Sequence, residues 1–115
     1  LAIPSLSPQE LRRRVDQGQP LSLLDVREDF ERGLAVIAGP PEVLQLHVPL
    51  GQLPTHLKAI RAASRDRPLI VYCHHGVRSG LAAQWLRAQG LPQVENLDGG
   101  IEAWSLEVDP TVPRY

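Results

Sequence analysis

Four short apolar runs constrain what this chain can become: Leu21-Ser22-Leu23-Leu24-Asp25-Val26, Val43 to Val48, Leu69-Ile70-Val71-Tyr72 and Val94 to Leu97. Each is too short for a buried helix, and each is bounded by glycine, proline or polar residues, so each reads as a buried strand. The intervening segments carry helical marks. Ser7-Pro8-Gln9-Glu10 is a helix start, with Ser7 as cap, Pro8 at the first helical position and Glu10 placed to complete a capping box. Leu6 can staple onto Leu11, and Gly18 marks the end of that helix. Leu53, Leu57 and Ile60 fit one face of a helix over about 52–63. Leu81, Ala82, Trp85 and Leu86 mark another over about 79–89, stopped by Gly90. Gly99-Gly100 leads into a short helical piece ending near Trp104. Residues 27–42 carry no clear period, and Gly39-Pro40-Pro41 reads as a loop. The tail from Asp109 to Pro113 reads as extended.

Strands that alternate with helices predict an α/β domain with a mostly parallel sheet. A chain of 115 residues fits one domain, residues 1–115. In such sheets ligands bind at the carboxyl ends of the strands. The only cysteine, Cys73, falls at one of these ends, between an apolar strand and a helix.

One cysteine excludes an internal disulfide framework. The net charge of -1 argues against nucleic-acid or membrane-surface partners. Arg12-Arg13-Arg14 fits a solvated helix face better than a binding patch. The first residues lack a charged leader and apolar core, so the expectation is a cytoplasmic protein without a signal peptide. The absence of methionine points to a chain that is processed or cut from a longer one.

Three readings of Cys73 are open at this point. It can be an inert buried thiol. It can be a metal ligand, although His74 and His75 alone supply no second ligand cluster, and His47 and His56 read as a hydrogen-bonded loop histidine and a surface histidine. It can be a nucleophile. A tight turn containing Gly76 can aim several N–H groups at one point, the next helix adds its N-terminus, and Arg78 adds a cation. All three favour a thiolate, the nucleophilic form. Ser79 can cap that helix or donate into the loop. Asp25, at the end of a buried strand, needs a partner and can hold Arg27 or Arg78 by a bidentate pair. Asp98 and Glu102 read as turn and cap residues, Trp85 and Trp104 as core.

The loop Cys73-His74-His75-Gly76-Val77-Arg78-Ser79 resembles the active-site loop of rhodanese-type sulfurtransferases. Leu23-Leu24-Asp25-Val26-Arg27-Glu28 resembles the family's early strand motif. Asn96-Leu97-Asp98-Gly99-Gly100-Ile101-Glu102-Ala103-Trp104 resembles its late glycine-rich motif, and His47-Val48-Pro49-Leu50 a further segment. The match is weakest over residues 33–46, where the family has a compact turn. The resemblance implies a central, mostly parallel five-stranded sheet flanked by helices on both faces. It implies that Cys73 takes the outer sulfur of a donor such as thiosulfate as a persulfide, and passes it to cyanide or a thiol. No cofactor is needed for this. The N–H groups from His74 to Ser79 would bind the negative sulfur, Arg78 would attract the donor, and Asp25 and Arg27 would support the loop. A protein can serve as sulfur donor or acceptor. The segment from Asp109 to Tyr115 resembles the end of rhodanese domains fused behind adenylyltransferases, which suggests a sulfur-carrier role.

Two rivals remain. Non-catalytic rhodanese-like modules lack the cysteine, which is present here. Cysteine phosphatases of similar fold place five residues between cysteine and arginine, whereas four separate Cys73 from Arg78. A shorter loop suits one sulfur atom better than a phosphoryl group.

Overall fold

The computed structural model describes residues 3–115. Its elements follow in the order β1 (Ser5–Leu6), α1 (Pro8–Asp16), β2 (Ser22–Asp25), α2 (Asp29–Arg32), β3 (Leu44–His47), two 3-10 turns (Leu50–Gln52 and Pro54–His56), α3 (Leu57–Ala63), β4 (Leu69–Tyr72), α4 (Val77–Ala88), β5 (Val94–Leu97) and α5 (Gly100–Glu107). The five strands form one sheet in the order β1-β5-β4-β2-β3, and every pairing is parallel.

Strand parity sorts the core into two layers. Leu23, Ile70, Tyr72 and Leu97 face a layer closed by Leu11 of α1 and by Ile101 and Trp104 of α5. Leu24, Leu69, Val71 and Val94 face the opposite layer, closed by Ile60 of α3 and by Ala82, Ala83 and Leu86 of α4. Side chains alternate along a strand, so continuing β4 by one residue puts Cys73 in the second layer, beneath the helix that follows it.

Several expectations need correction. β1 has only two residues and shows no period of its own, yet Ser5 and Leu6 pair with Asn96 and Leu97 at the sheet edge. The single helix expected over 52–63 is two 3-10 turns followed by a short α3. Pro54, inside that stretch, has no N–H to continue an α-helical ladder. The patternless stretch hides the one-turn α2. Ser7 caps α1 by accepting from the Glu10 N–H at 3.1 Å, but the Glu10 carboxylate does not reach back; it binds Arg13 and Arg14. Arg14 also grips Glu95 of β5, so the arginine cluster is partly a helix–sheet tie. α5 runs on past Trp104 to Glu107. Instead of extending, the tail turns and packs back. Ser105 Oγ donates to the Val112 carbonyl at 2.6 Å, and Val112 joins the first core layer. Among the described residues, no helix is long and apolar enough to cross a membrane.

Candidate active site

Register aligns the carboxyl ends of β3, β2 and β4, with His47, Asp25 and Tyr72 side by side. Beyond this edge lie Cys73 after β4 and Arg27 after β2.

The turn that follows Cys73 is shaped by glycines. Gly76 precedes α4 at φ +99°, a left-handed conformation that disfavours side chains. Gly100 has φ +62°, and a Cβ there would lie 2.5 Å from the carbonyl oxygens of both Cys73 and His74. Its bare Cα lets the first turn of α5 come under the loop. The N–H groups of Ile101 and Glu102 then donate to the Cys73 and His74 carbonyls at 2.9 and 3.1 Å. Asn96 Nδ2 holds the Gly76 carbonyl at 3.1 Å. With these carbonyls held below, N–H groups are free to face the sulfur. Gly76 N donates to Cys73 Sγ at 3.1 Å and Ser79 N at 3.3 Å, and Ser79 Oγ lies 3.3 Å away. Of the span from His74 to Ser79, these two backbone donors reach the resting sulfur. Cys73 is 1% exposed and Ser79 is fully buried, whereas His75 and Val77 are exposed.

Of the two partners expected for Asp25, Arg27 makes the bidentate pair, at 2.9 and 2.7 Å. Arg27 is 0% exposed, and its remaining donors reach the Ala35 and Glu31 carbonyls and the Tyr115 hydroxyl. Asp25 takes a second cation, Arg32, at 2.9 Å. Burial opposes ionisation of Asp25, but its hydrogen bonds from Arg27 prevail and hold it below the usual carboxylate range.

Arg78 departs from expectation. It pairs not with Asp25 but bidentately with Glu31 of α2, at 2.6 and 2.9 Å. The pair lowers Glu31 to about 2 and raises Arg78 further above its ordinary range. Arg78 is therefore a neutralised clamp at the end of the loop rather than an unpaired cation. No period in residues 27–42 marks Glu31; its local signals are the acidic first turn of α2 and the capping-box spacing to Glu28, whose N–H donates to Glu31 Oε1 at 3.1 Å.

Tyr115 was also missed. Its hydroxyl accepts from Arg27 at 2.8 Å and donates to Glu31 at 2.7 Å, while its ring stacks on His74 with centroids 3.9 Å apart. His74 stacks in turn on His75. Burial, aided by His75, pushes His74 below the ordinary histidine range. His47 is hydrogen-bonded as expected, with Nε2 2.8 Å from the Arg27 carbonyl oxygen, but it ends β3 rather than lying in a loop. His56 is at the surface, as expected. Glu102 does sit in the first turn of α5, and it pairs with Arg114 at 2.8 Å. Within the weakly matching stretch 33–46, residues from Ile37 to Val43 line a cleft with α1 and Trp104 that includes no residue of the cysteine loop.

The family model described as Rhodanese-like domain matches residues 7–107. The maize adenylyltransferase and sulfurtransferase MOCS3-1 is 33% identical over 107 residues, covering 93% of this chain and 23% of that protein. This chain thus spans about a quarter of the length of such curated relatives. A rhodanese-related protein from Thermoplasma volcanium superposes with a TM-score of 0.78 at 29% identity, covering 97% of this chain and 99% of that one. The human single-domain sulfurtransferase TSTD1 superposes with a TM-score of 0.72 at 26% identity, covering 92% and 98%.

Proposed function

Because this chain belongs to the rhodanese-like domain family, we propose that it is a sulfurtransferase that carries sulfane sulfur on Cys73. One observation carries the reading: the Gly76 and Ser79 N–H groups converge on Cys73 Sγ at the start of α4. Donors fixed in advance around a sulfur stabilise negative charge there without reorganising, as an oxyanion hole does for oxygen.

In the first half-reaction the Cys73 thiolate attacks the outer sulfur of thiosulfate. A Cys–S bond to that sulfur forms, the S–S bond of the donor breaks, and sulfite leaves with the electron pair. In the second, cyanide or a thiolate attacks the outer sulfur of the persulfide, and the Cys73 thiolate departs. The cycle is ping-pong nucleophilic catalysis. Ser79 Oγ, buried beside Sγ, can turn its O–H toward the charged sulfur. Gly100 and Asn96 hold the ring from below, and the Glu31–Arg78 pair holds its far end, with Arg27 bonded to the Glu31 carbonyl and the Tyr115 hydroxyl behind it. His75 and Val77 are the exposed side chains of the loop, and His74 is stacked between His75 and Tyr115. Asp25 and Glu31 offset two of the three arginines Arg27, Arg32 and Arg78, so thiosulfate is drawn less strongly than by an unpaired Arg78.

A phosphatase is disfavoured on the same geometry. The loop has four residues between Cys73 and Arg78, and the guanidinium that would grip a phosphoryl group is occupied by Glu31. The second reading is a sulfur carrier serving an adenylyltransferase-type partner. It is favoured by the match to one segment of a maize protein whose name joins both activities.

Incubation with thiosulfate followed by intact mass measurement tests the proposal. Mass should rise by one sulfur atom in the native protein and not in Cys73→Ser, which should also form no thiocyanate from cyanide. Activity in Cys73→Ser sinks the mechanism. A persulfide that resists cyanide but discharges to a partner protein selects the carrier reading.

A further inference from the structure

The loop is clasped at both ends by one side chain from a distant part of the chain. His74 directly follows Cys73, and its imidazole lies flat against the Tyr115 ring at 3.9 Å with an interplanar angle of 10°. Arg78, at the far end of the loop, is held by Glu31, and Glu31 Oε2 accepts from the Tyr115 hydroxyl at 2.7 Å. The same hydroxyl accepts from Arg27 at 2.8 Å, which fixes the direction of its proton toward Glu31. Burial and the Glu31 carboxylate push Tyr115 up to about 12, so the phenol stays protonated and donating.

Tyr115 is itself anchored. Val112 is buried, the Ser105 hydroxyl holds its carbonyl, and Arg114 pairs with Glu102, whose backbone N–H supports the His74 carbonyl. The tail therefore arrives at the loop as a packed strap.

We propose that Tyr115 is a positioning residue for sulfur transfer, its ring setting His74 and its hydroxyl setting the Glu31–Arg78 clamp, so that together they keep the Gly76 and Ser79 N–H groups aimed at Cys73. Tyr115 touches no reacting atom and acts through the loop. The inference rests on the sulfurtransferase reading for its kinetic consequence only, and two of its three readouts are independent of that reaction.

The test compares native protein with Tyr115→Phe and Tyr115→Leu, each below its melting temperature. Phenylalanine keeps the stack and removes the bridge; leucine removes both. The first readout is amide hydrogen exchange at Gly76 and Ser79, referenced to Ile70 and Val71 in the core strand. A general loss of stability accelerates all four alike, whereas a loosened loop accelerates Gly76 and Ser79 alone. Exchange at these two should quicken several-fold in Tyr115→Phe, as loss of the hydrogen bonds of the bridge requires, and more in Tyr115→Leu. The second readout is the NMR titration of His74. It faces His75, Glu102 with its partner Arg114, Glu31 with its partner Arg78, and the Tyr115 ring. Its midpoint lies below the ordinary 6.5 because it is buried. Leucine should expose it and raise the midpoint; phenylalanine should leave it unchanged. The third is kcat/KM, which should fall on the order of tenfold in Tyr115→Leu through misplacement of the donors.

Native exchange ratios and an unmoved His74 titration in Tyr115→Leu overturn the proposal. Should Tyr115→Leu not fold, Tyr115→Phe decides: exchange at Gly76 and Ser79 equal to native overturns it. Absence of sulfur transfer in the native protein would instead refute the function and leave the exchange and titration results standing.

Discussion

Gly100→Ala tests how the loop is built. The glycine is at φ +62°, where an L-residue is disfavoured, and its Cβ would meet two backbone carbonyl oxygens at 2.5 Å. Backbone atoms cannot rotate aside as a flexible side chain can. Left-handed strain for alanine costs about 1–2 kcal/mol. Relieving the overlap by separating α5 from the loop adds about 1–3 kcal/mol of overpacking strain. That motion also stretches the bonds from Ile101 and Glu102 to the Cys73 and His74 carbonyls. The sum is a loss of about 2–5 kcal/mol, severe against total stabilities of about 5–15 kcal/mol. Two controls separate the contributions. Gly18, at φ +68° with open space around it, carries the strain without the clash, so Gly18→Ala should cost about 1 kcal/mol. Gly51 has neither positive φ nor a neighbour within 4 Å, so Gly51→Ala should be neutral or stabilise by about 0.4–1 kcal/mol through the unfolded chain. Urea unfolding with a common slope measures all three. Sulfur transfer should collapse in Gly100→Ala even where the protein stays folded, and persist in both controls. Equal losses at Gly18 and Gly100 would refute the claim that close approach of α5 shapes the loop.

Other perturbations reach different parts of the site. Removing the Arg27 side chain, as in Arg27→Leu, leaves the buried Asp25 with Arg32 as its one cation beside the backbone N–H of residue 27; unfolding free energy should fall by about 3 kcal/mol or more, read by denaturant titration. Glu31 has its pKa lowered from 4.5 to about 2 on folding, so between these values the unfolded chain binds more protons. Its contribution to stability is therefore full above pH 4.5 and is lost as pH falls to about 2. Glu31→Gln should be less stable at neutral pH and show a shallower acid limb in that window; an unchanged acid limb would deny the Glu31–Arg78 clamp. Inserting one glycine between Gly76 and Val77 lengthens the loop to the phosphatase spacing and should abolish thiocyanate formation. The native protein should not turn over p-nitrophenyl phosphate, and hydrolysis faster than sulfur transfer would defeat the loop-size reasoning.

What the sequence determined by itself was whatever depends on neighbours in the chain. The short apolar runs Leu21 to Val26 and Leu69 to Tyr72 read as buried strands, because a strand covered on both faces needs apolar side chains on each. Ser7-Pro8 carried its own helix start, and Gly76 and Gly99-Gly100 marked turns that few other residues tolerate. The place of Cys73 at a strand end followed from the same local pattern. The tertiary structure alone decided what crosses long gaps. Ser5 and Leu6 become a strand only because Asn96 and Leu97 offer an edge. Asp25 chose Arg27, two residues away, where proximity made the pair legible. Arg78 chose Glu31, 47 residues away, from a segment with no period. Tyr115 joins Arg27 and Glu31 from 88 and 84 residues away. Charge and hydrogen-bond partners are selected by distance in space, and no periodicity in the chain records which of several arginines and carboxylates the folded sheet will bring within 3 Å.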